Sequence, residues 1–121
     1  MSSEKPLLVT ANYVTGHKID RVLGLTFGIT VRSRGIGGNI VAGLRTLKGG
    51  EINEYTQLAQ LARQEALDRL ADAAAQRGAN AVISVSFDST EIAQSMTEII
   101  AFGTSVVVSP ISADEQFVKL G

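Results

Sequence analysis

Residues 54–88 read EYTQLAQLARQEALDRLADAAAQRGANAVISVSFD, and this stretch decides the fold. Apolar residues recur at three- and four-residue steps through 54–77, which is the spacing of one face of an α-helix. Arg77 followed by Gly78 is typical of a helix closed by a left-handed glycine. The pattern then changes to alternation, which predicts a strand over 81–88 and a turn at Asp88–Glu91. The predicted helix face comprises Tyr55, Leu58, Ala59, Ala62, Ala66, Leu70, Ala73 and Ala74.

The predicted helix has signals of its own. Asn53 is a suitable N-cap, and Glu65 and Arg69 form a favourably ordered pair four residues apart. Leu61 and Leu67 lie off the main apolar stripe. The apolar surface is therefore wider than one sheet contact requires, and we expect a second partner for it.

Two further segments have the alternation of strands. In Leu23–Arg32, Gly24 and Gly28 fall on one face, which predicts a bulge or another backbone pressed close. In Met96–Val108 both faces are largely apolar. One helix covers only one side of a sheet, so we expect the second side to meet a neighbouring chain.

The rest of the chain completes an α+β domain with an antiparallel-rich sheet. Leu7–Thr10 predicts a first strand, and Asn39–Arg45, closed by Gly49 and Gly50, predicts a short helix beside the long one. Residues 1–6 are expected to be a disordered tail, 7–110 a single domain, and 111–121 a C-terminal tail.

Composition excludes several classes of function. The 121 residues carry 11 basic and 12 acidic side chains, a net charge of -1, which gives no electrostatic reason to expect nucleic acid or an acidic membrane surface. Cysteine is absent, so disulfides, thiolate nucleophiles and cysteine-based metal sites are excluded. No segment has the apolar length of a signal core or a membrane span, which predicts a cytoplasmic protein.

Several short motifs stand out in the chain: Gly43-x-Arg45, Gly49-Gly50, Tyr55, Ala62-Arg63, Ala66, Leu70, Gly78-Ala79-Asn80-Ala81-Val82 and Gly103-Thr104. Together they match one known family. The chain resembles the YbjQ-like family, whose name carries a heavy-metal-binding label. That resemblance implies a small bacterial α+β subunit of dodecin-like arrangement, assembled as a homopentameric ring. The chain departs from the family pattern at Glu51 and Thr56, where a basic and an acidic residue are usual.

His17 is the candidate metal ligand, because it is the single histidine and cysteine is absent. Soft metals prefer thiolate or imidazole, and a zinc-like site needs three or four donors. A site on this chain would therefore need several subunits, and a carboxylate partner such as Asp20 would be required. The alternative is an ordinary surface imidazole, and no other cofactor is expected.

Three charged residues are candidate ligand-binding residues, namely Arg34, Arg45 and Glu98. Arg34 precedes a glycine-rich turn that could present free N–H groups to an anion, although a flexible turn is the competing interpretation. Arg45 and Arg63 are expected to pair with a carboxylate such as Glu65 or Glu98. Glu98 lies on an apolar strand face, where it should reach solvent, form a salt bridge between copies or have a raised pKa.

The hydroxyl residues of the strands lack a histidine base, and no nucleophile, base and cofactor motif converge. We therefore expect a non-enzymatic, ring-forming protein that binds a small ligand or metal ion between subunits or at its centre. The alternative is a structural or adaptor oligomer that presents its outer helices to a protein partner.

Overall fold

The computed structural model describes residues 4–33, 53–93 and 96–112. The short helix predicted at 39–45 and the candidate residues Arg34 and Arg45 lie outside these ranges. The described elements are β1 (Leu7–Leu8), β2 (His17–Ser33), α1 (Asn53–Gln76), β3 (Ala81–Ala93) and β4 (Met96–Pro110).

The strands form one four-stranded mixed sheet in the order β1-β3-β4-β2. β1 pairs parallel to β3, whereas β4 pairs antiparallel to both β3 and β2. α1 packs on one face of the sheet, mainly across β2 and β4. The predicted α+β class is therefore confirmed. No helix in the described part of the chain has the length and apolarity that crossing a bilayer requires.

α1 ends as its sequence predicts. The amide of Ala79 donates to the carbonyl of Ala74 at 3.0 Å, and the amide of Gly78 donates to the carbonyl of Ala75 at 2.9 Å. Gly78 has φ of +87°. These bonds form a Schellman motif, in which a left-handed glycine closes the helix. The chain then enters β3 within three residues, which fixes α1 against the sheet.

The core between α1 and the sheet is built from small side chains. Ala66, Leu70 and Ala74 of α1 pack on Val82 and Ala101 of the sheet, and all five are fully buried. The alanines bring the helix axis close to the strands. Their burial confirms most of the predicted apolar stripe. Ala59 was predicted to belong to it but is exposed.

A second, smaller core lies on the opposite face of the sheet. Ala81, Ile83 and Val106 are buried there, with Val9 and Val14 packed against them. The segment that follows β1 therefore covers one end of the outer face, which the sequence pattern did not predict. The other end of that face remains open.

β3 departs from its predicted pattern in two ways. A bulge at Ser84–Val85, with Ser84 at φ of +55°, turns Val85 to the helix side, so Ile83 and Val85 do not share a face. The turn predicted at Asp88–Glu91 is wrong, since the strand continues to Ala93. Polar residues are tolerated in this half of the strand because every side chain from Ser86 to Ile92 is exposed.

Candidate functional site

The outer face of β2 carries an unbroken row of exposed apolar side chains, which we call the outer stripe. All six are between 40% and 66% exposed, and they run nearly the full length of the strand. β2 stands at the edge of the sheet, and Gly28 and Thr30 of the same strand point the other way, toward α1. The outer stripe consists of Ile19, Val22, Leu25, Phe27, Ile29 and Val31.

β4 continues this apolar surface and β3 bounds it. Phe102 and Ile100 lie opposite Phe27 and Ile29, and the Phe27 and Phe102 ring centroids are 6.4 Å apart. The next strand brings exposed polar side chains to the same face at Ser86, Asp88 and Thr90. In this half of the sheet, the outer face is therefore apolar on β2 and β4 and polar along residues 86–90 of β3.

Glu98 lies at the end of this apolar surface. It stands between Val31 of β2 and Thr90 of β3 in the register, and its side chain is half-buried. No described cation forms an ion pair with it. The carboxylate thus lies beside the outer stripe, as the alternation of β4 predicts.

A charged network joins α1 to β2 on the inner face. The Thr30 hydroxyl donates to Glu65, Arg32 binds the same carboxylate at 3.1 Å, and Arg69 binds it at 3.1 Å. The Thr30 hydrogen bond is the main cause that lowers the pKa of Glu65 below its ordinary value of 4.5, with Arg32 and Arg69 adding to it. The predicted Glu65–Arg69 pair is confirmed.

Within the described part of one chain, Arg63 does not form the expected pair with Glu65 or Glu98. The Arg63 guanidinium lies over the Phe87 ring at 5.8 Å from its centroid. Residues two apart on a helix do not face each other, so Arg63 and Glu65 project to different sides of α1.

Arg69 of α1 and Arg77, the residue that follows α1, both reach the backbone of β2, and neither contact was predicted from the sequence. Arg77 donates to the carbonyl of Leu25 at 2.7 Å, to the Thr26 hydroxyl at 2.9 Å and to the carbonyl of Leu23. Arg69 donates to the carbonyl of Ile29 at 2.6 Å. The position of Arg77 just before the helix-closing Gly78 is the one sequence signal that could have indicated its contacts.

His17 opens β2 and is half-buried. Its Nδ1 lies 2.9 Å from the carbonyl oxygen of Thr15. A carbonyl oxygen only accepts, so Nδ1 carries the proton and Nε2 of the neutral ring is left with its lone pair. This is the orientation that metal-binding histidines usually have. No hydrogen bond or ion pair joins His17 to Asp20.

Comparison with known proteins places these features in a family. The model of a YbjQ family described as "Putative heavy-metal-binding" matches residues 7–109. The chain belongs to the YbjQ-like family. It is similar to the UPF0145 protein of Thermoplasma volcanium, with 59% identity over 94% of this chain and 93% of that one. The UPF0145 protein of Methanoregula boonei is 57% identical over 98% of this chain and 99% of that one.

The expectation of a bacterial family is too narrow. Relatives of this YbjQ-like chain occur in archaea such as those two species and also in Bradyrhizobium, whose UPF0145 protein is 54% identical over 86% of this chain and 94% of that one. The fold is similar to a crystal structure of a DUF74-family protein of unknown function from Pediococcus pentosaceus. The TM-score is 0.54 at 14% identity, covering 86% of this chain and 98% of that one.

The described residues of this YbjQ-like chain do not form a metal site within one subunit. In the described part of the chain, no three histidine, aspartate or glutamate side chains come together as a metal ion would require. His17 supplies one imidazole nitrogen in a suitable orientation. Of the two departures from the family pattern, Thr56 is exposed on α1 and Glu51 lies outside the described residues.

Proposed function

We propose that this chain is a non-enzymatic subunit that assembles with copies of itself into a closed, dodecin-like ring, and that any ion or small ligand is held between the copies. The observation that carries this is the outer stripe. Six large apolar side chains of one strand are 40% to 66% exposed. A contiguous apolar patch of this kind is typical of an interaction surface.

Burial of the outer stripe supplies a driving force for association. Fully burying a large apolar side chain is worth about 1.5–3 kcal/mol, so covering the exposed half of each residue contributes about 1 kcal/mol. Phe27 and Phe102 add an aromatic surface at the centre. Several such contributions per subunit favour association over a soluble single chain.

A second copy fits this surface better than an unrelated partner. The polar residues Ser86, Asp88 and Thr90 limit the apolar surface to β2 and β4, so the area to be covered has the width of two strands. Another copy presents apolar strands of the same length. A homopentamer is the closed form that the family resemblance implies, and we adopt it as the expected stoichiometry.

The test compares two exposed apolar residues on opposite sides of the subunit. Phe27→Asp places a charge in the outer stripe, whereas Leu61→Asp places the same charge on α1, where Leu61 is 61% exposed. Native mass spectrometry of the purified proteins should show the homopentamer for wild type and Leu61→Asp, and single chains for Phe27→Asp. Equal masses for all three proteins would overturn the proposed interface.

An adaptor oligomer is the second candidate, and the exposure of Leu61 favours it. In that case the ring presents α1 to a protein partner. Leu61→Asp would then leave the ring mass unchanged and abolish retention of a partner that wild type retains. Retention by both proteins would remove α1 as the docking surface.

Metal binding between copies is tested with the metal alone. A site that uses the free Nε2 of His17 requires that nitrogen from several subunits, because one imidazole does not make a zinc-like site. Titration of the assembled protein with zinc, copper and nickel should show binding that His17→Ala loses and Asp20→Asn retains. Binding that is unaffected by His17→Ala would eliminate a histidine-based site.

A further inference from the structure

The edge of β2 is a second surface on which a neighbouring chain could add, and the directions of its peptide groups follow from the register. The carbonyl of Val106 and both backbone groups of Val108 bind Asn80, so these residues of β4 face β3. Alternate residues of β4, including Gly103 and Ala101, then face β2.

The register places Gly103 and Ala101 opposite Thr26 and Gly28. Those two residues of β2 therefore direct their peptide groups toward β4. Leu25, Phe27 and Ile29 direct theirs away from the sheet, because successive residues of a strand alternate. An edge strand with outward N–H and C=O groups is a template for strand addition.

Two helix arginines occupy this edge. Arg77 donates to the carbonyls of Leu23 and Leu25, and Arg69 donates to the carbonyl of Ile29. A β-bulge between Val22 and Gly24, with Gly24 at φ of +109°, lets both neighbouring carbonyls meet the same guanidinium. A Cβ at Gly24 would lie 3.3 Å from the Arg77 guanidinium.

We infer that Arg69 and Arg77 close the β2 edge to strand addition by a second copy, and so direct the contact between copies to the side chains of the outer stripe. This inference adds to the proposed self-assembly the surface that is kept out of the contact. It rests on the proposed function in taking a second copy of the chain as the partner. The guanidinium groups supply to these carbonyls the hydrogen bonds that the N–H groups of an added strand would supply. A second strand would have to displace them.

The experiment removes the edge caps, by which we mean the guanidinium groups of Arg69 and Arg77 on the β2 carbonyls, and leaves the outer stripe intact. Arg77→Met and the double variant Arg69→Met/Arg77→Met keep much of the side-chain length but have no N–H donors. Arg21→Met is the charge-matched control for Arg77→Met, since Arg21 is an exposed arginine of β2 and its replacement removes the same single charge. Sedimentation velocity, with infrared detection of intermolecular β-sheet, measures species larger than the closed assembly.

We expect the double variant to form open-ended polymers with an intermolecular β-sheet signal at about ten times the level of Arg21→Met at equal concentration. A double variant that is folded by circular dichroism and has the wild-type size distribution would overturn the inference while leaving the ring intact. A monomeric wild type together with a polymerising double variant would instead overturn the ring and support the edge caps.

If the double variant does not fold, hydrogen exchange on the wild-type assembly shows whether a strand has added to the β2 edge. A closed edge predicts fast exchange of the outward amides of Leu25, Phe27 and Ile29 beside slow exchange of Thr26 and Gly28. Slow exchange of all five amides in the assembled protein would show that a strand has added to the edge, and the inference would be wrong.

Discussion

Gly28 lies where the backbone of β2 comes closest to α1. A Cβ at this position would be 2.2 Å from the carbonyl oxygen of Ala66 and 2.2 Å from the amide nitrogen of Leu70. Both are backbone atoms of a helix, which cannot move singly. The predicted close approach of another backbone is confirmed here, and the bulge at Gly24 accounts for the other glycine of the pair.

Gly28→Ala should therefore destabilise the protein by about 3 kcal/mol, the upper part of the range for overpacking a close-packed contact. Gly16→Ala is the control, because Gly16 has φ of +74° but open space around its Cα. Its cost should be about 1 kcal/mol, the strain of a left-handed alanine. Urea unfolding of the assembled proteins measures both. Equal losses would contradict the close approach.

Glu65 links stability to pH through the network with Thr30. Its pKa in the folded chain is lowered, mainly by the Thr30 hydrogen bond and then by Arg32 and Arg69, so the network favours the ionised form. That contribution is present above the ordinary, unfolded pKa of 4.5. It is lost as the pH falls through the lower folded value.

The denaturation midpoint of wild type should accordingly fall more steeply than that of Glu65→Gln as the pH is lowered from about 5 to about 3. Asp72→Asn, which removes an exposed acid of the same helix, should follow the wild-type slope. Parallel curves for wild type and Glu65→Gln would mean that the network does not favour the carboxylate.

At the scale of elements, the junction between α1 and β3 is held by the Asn80 side chain, which makes the two hydrogen bonds that a strand backbone would make. The Asn80 amide donates to the carbonyl of Val108 at 2.8 Å and accepts from the Val108 amide at 2.8 Å. This pair extends the β3–β4 ladder by one position beyond its last backbone pairing. The motif Gly78–Val82 thus combines a helix stop with the start of the sheet.

Asn80→Ala should cost about 1–2 kcal/mol, because it leaves two backbone groups of Val108 without their partner. Asn12→Ala, at an exposed bend, should be nearly neutral. Thermal melts of both variants check this. A melting temperature of Asn80→Ala equal to that of Asn12→Ala would show that water replaces the amide without loss.

The elements themselves were largely predictable where one face is buried. α1 was predicted over 54–77 and spans Asn53–Gln76, and β4 was predicted over Met96–Val108 and ends at Pro110. The prediction failed at both ends of the sheet. β2 begins at His17 rather than Leu23, and β3 continues past Asp88, because side chains exposed on both faces carry no apolar period.

The candidate site was predictable only in outline. The second apolar side of β4 and the position of Glu98 follow from alternation alone. The edge contacts of Arg69 and Arg77 depend on how α1 crosses β2, and the cover from Val9 and Val14 depends on the path of an irregular segment. Neither leaves a periodic signal in the sequence.

For the whole molecule, the central claim is that the outer stripe is covered by copies of the same chain. The helix buries one face of the sheet and the segment after β1 buries part of the other, which leaves Leu25, Phe27, Ile29 and Val31 at 41% to 58% exposure. In the described part of a single chain, these side chains are exposed to water. We propose that association with copies of the same chain covers them.

The most direct test is sedimentation equilibrium of the wild-type protein at micromolar concentration, purified without added metal. The expected result is one species with the mass of a homopentamer of the 12.8 kDa chain, unchanged on tenfold dilution. A stable, folded species of 12.8 kDa at that concentration would contradict the claim.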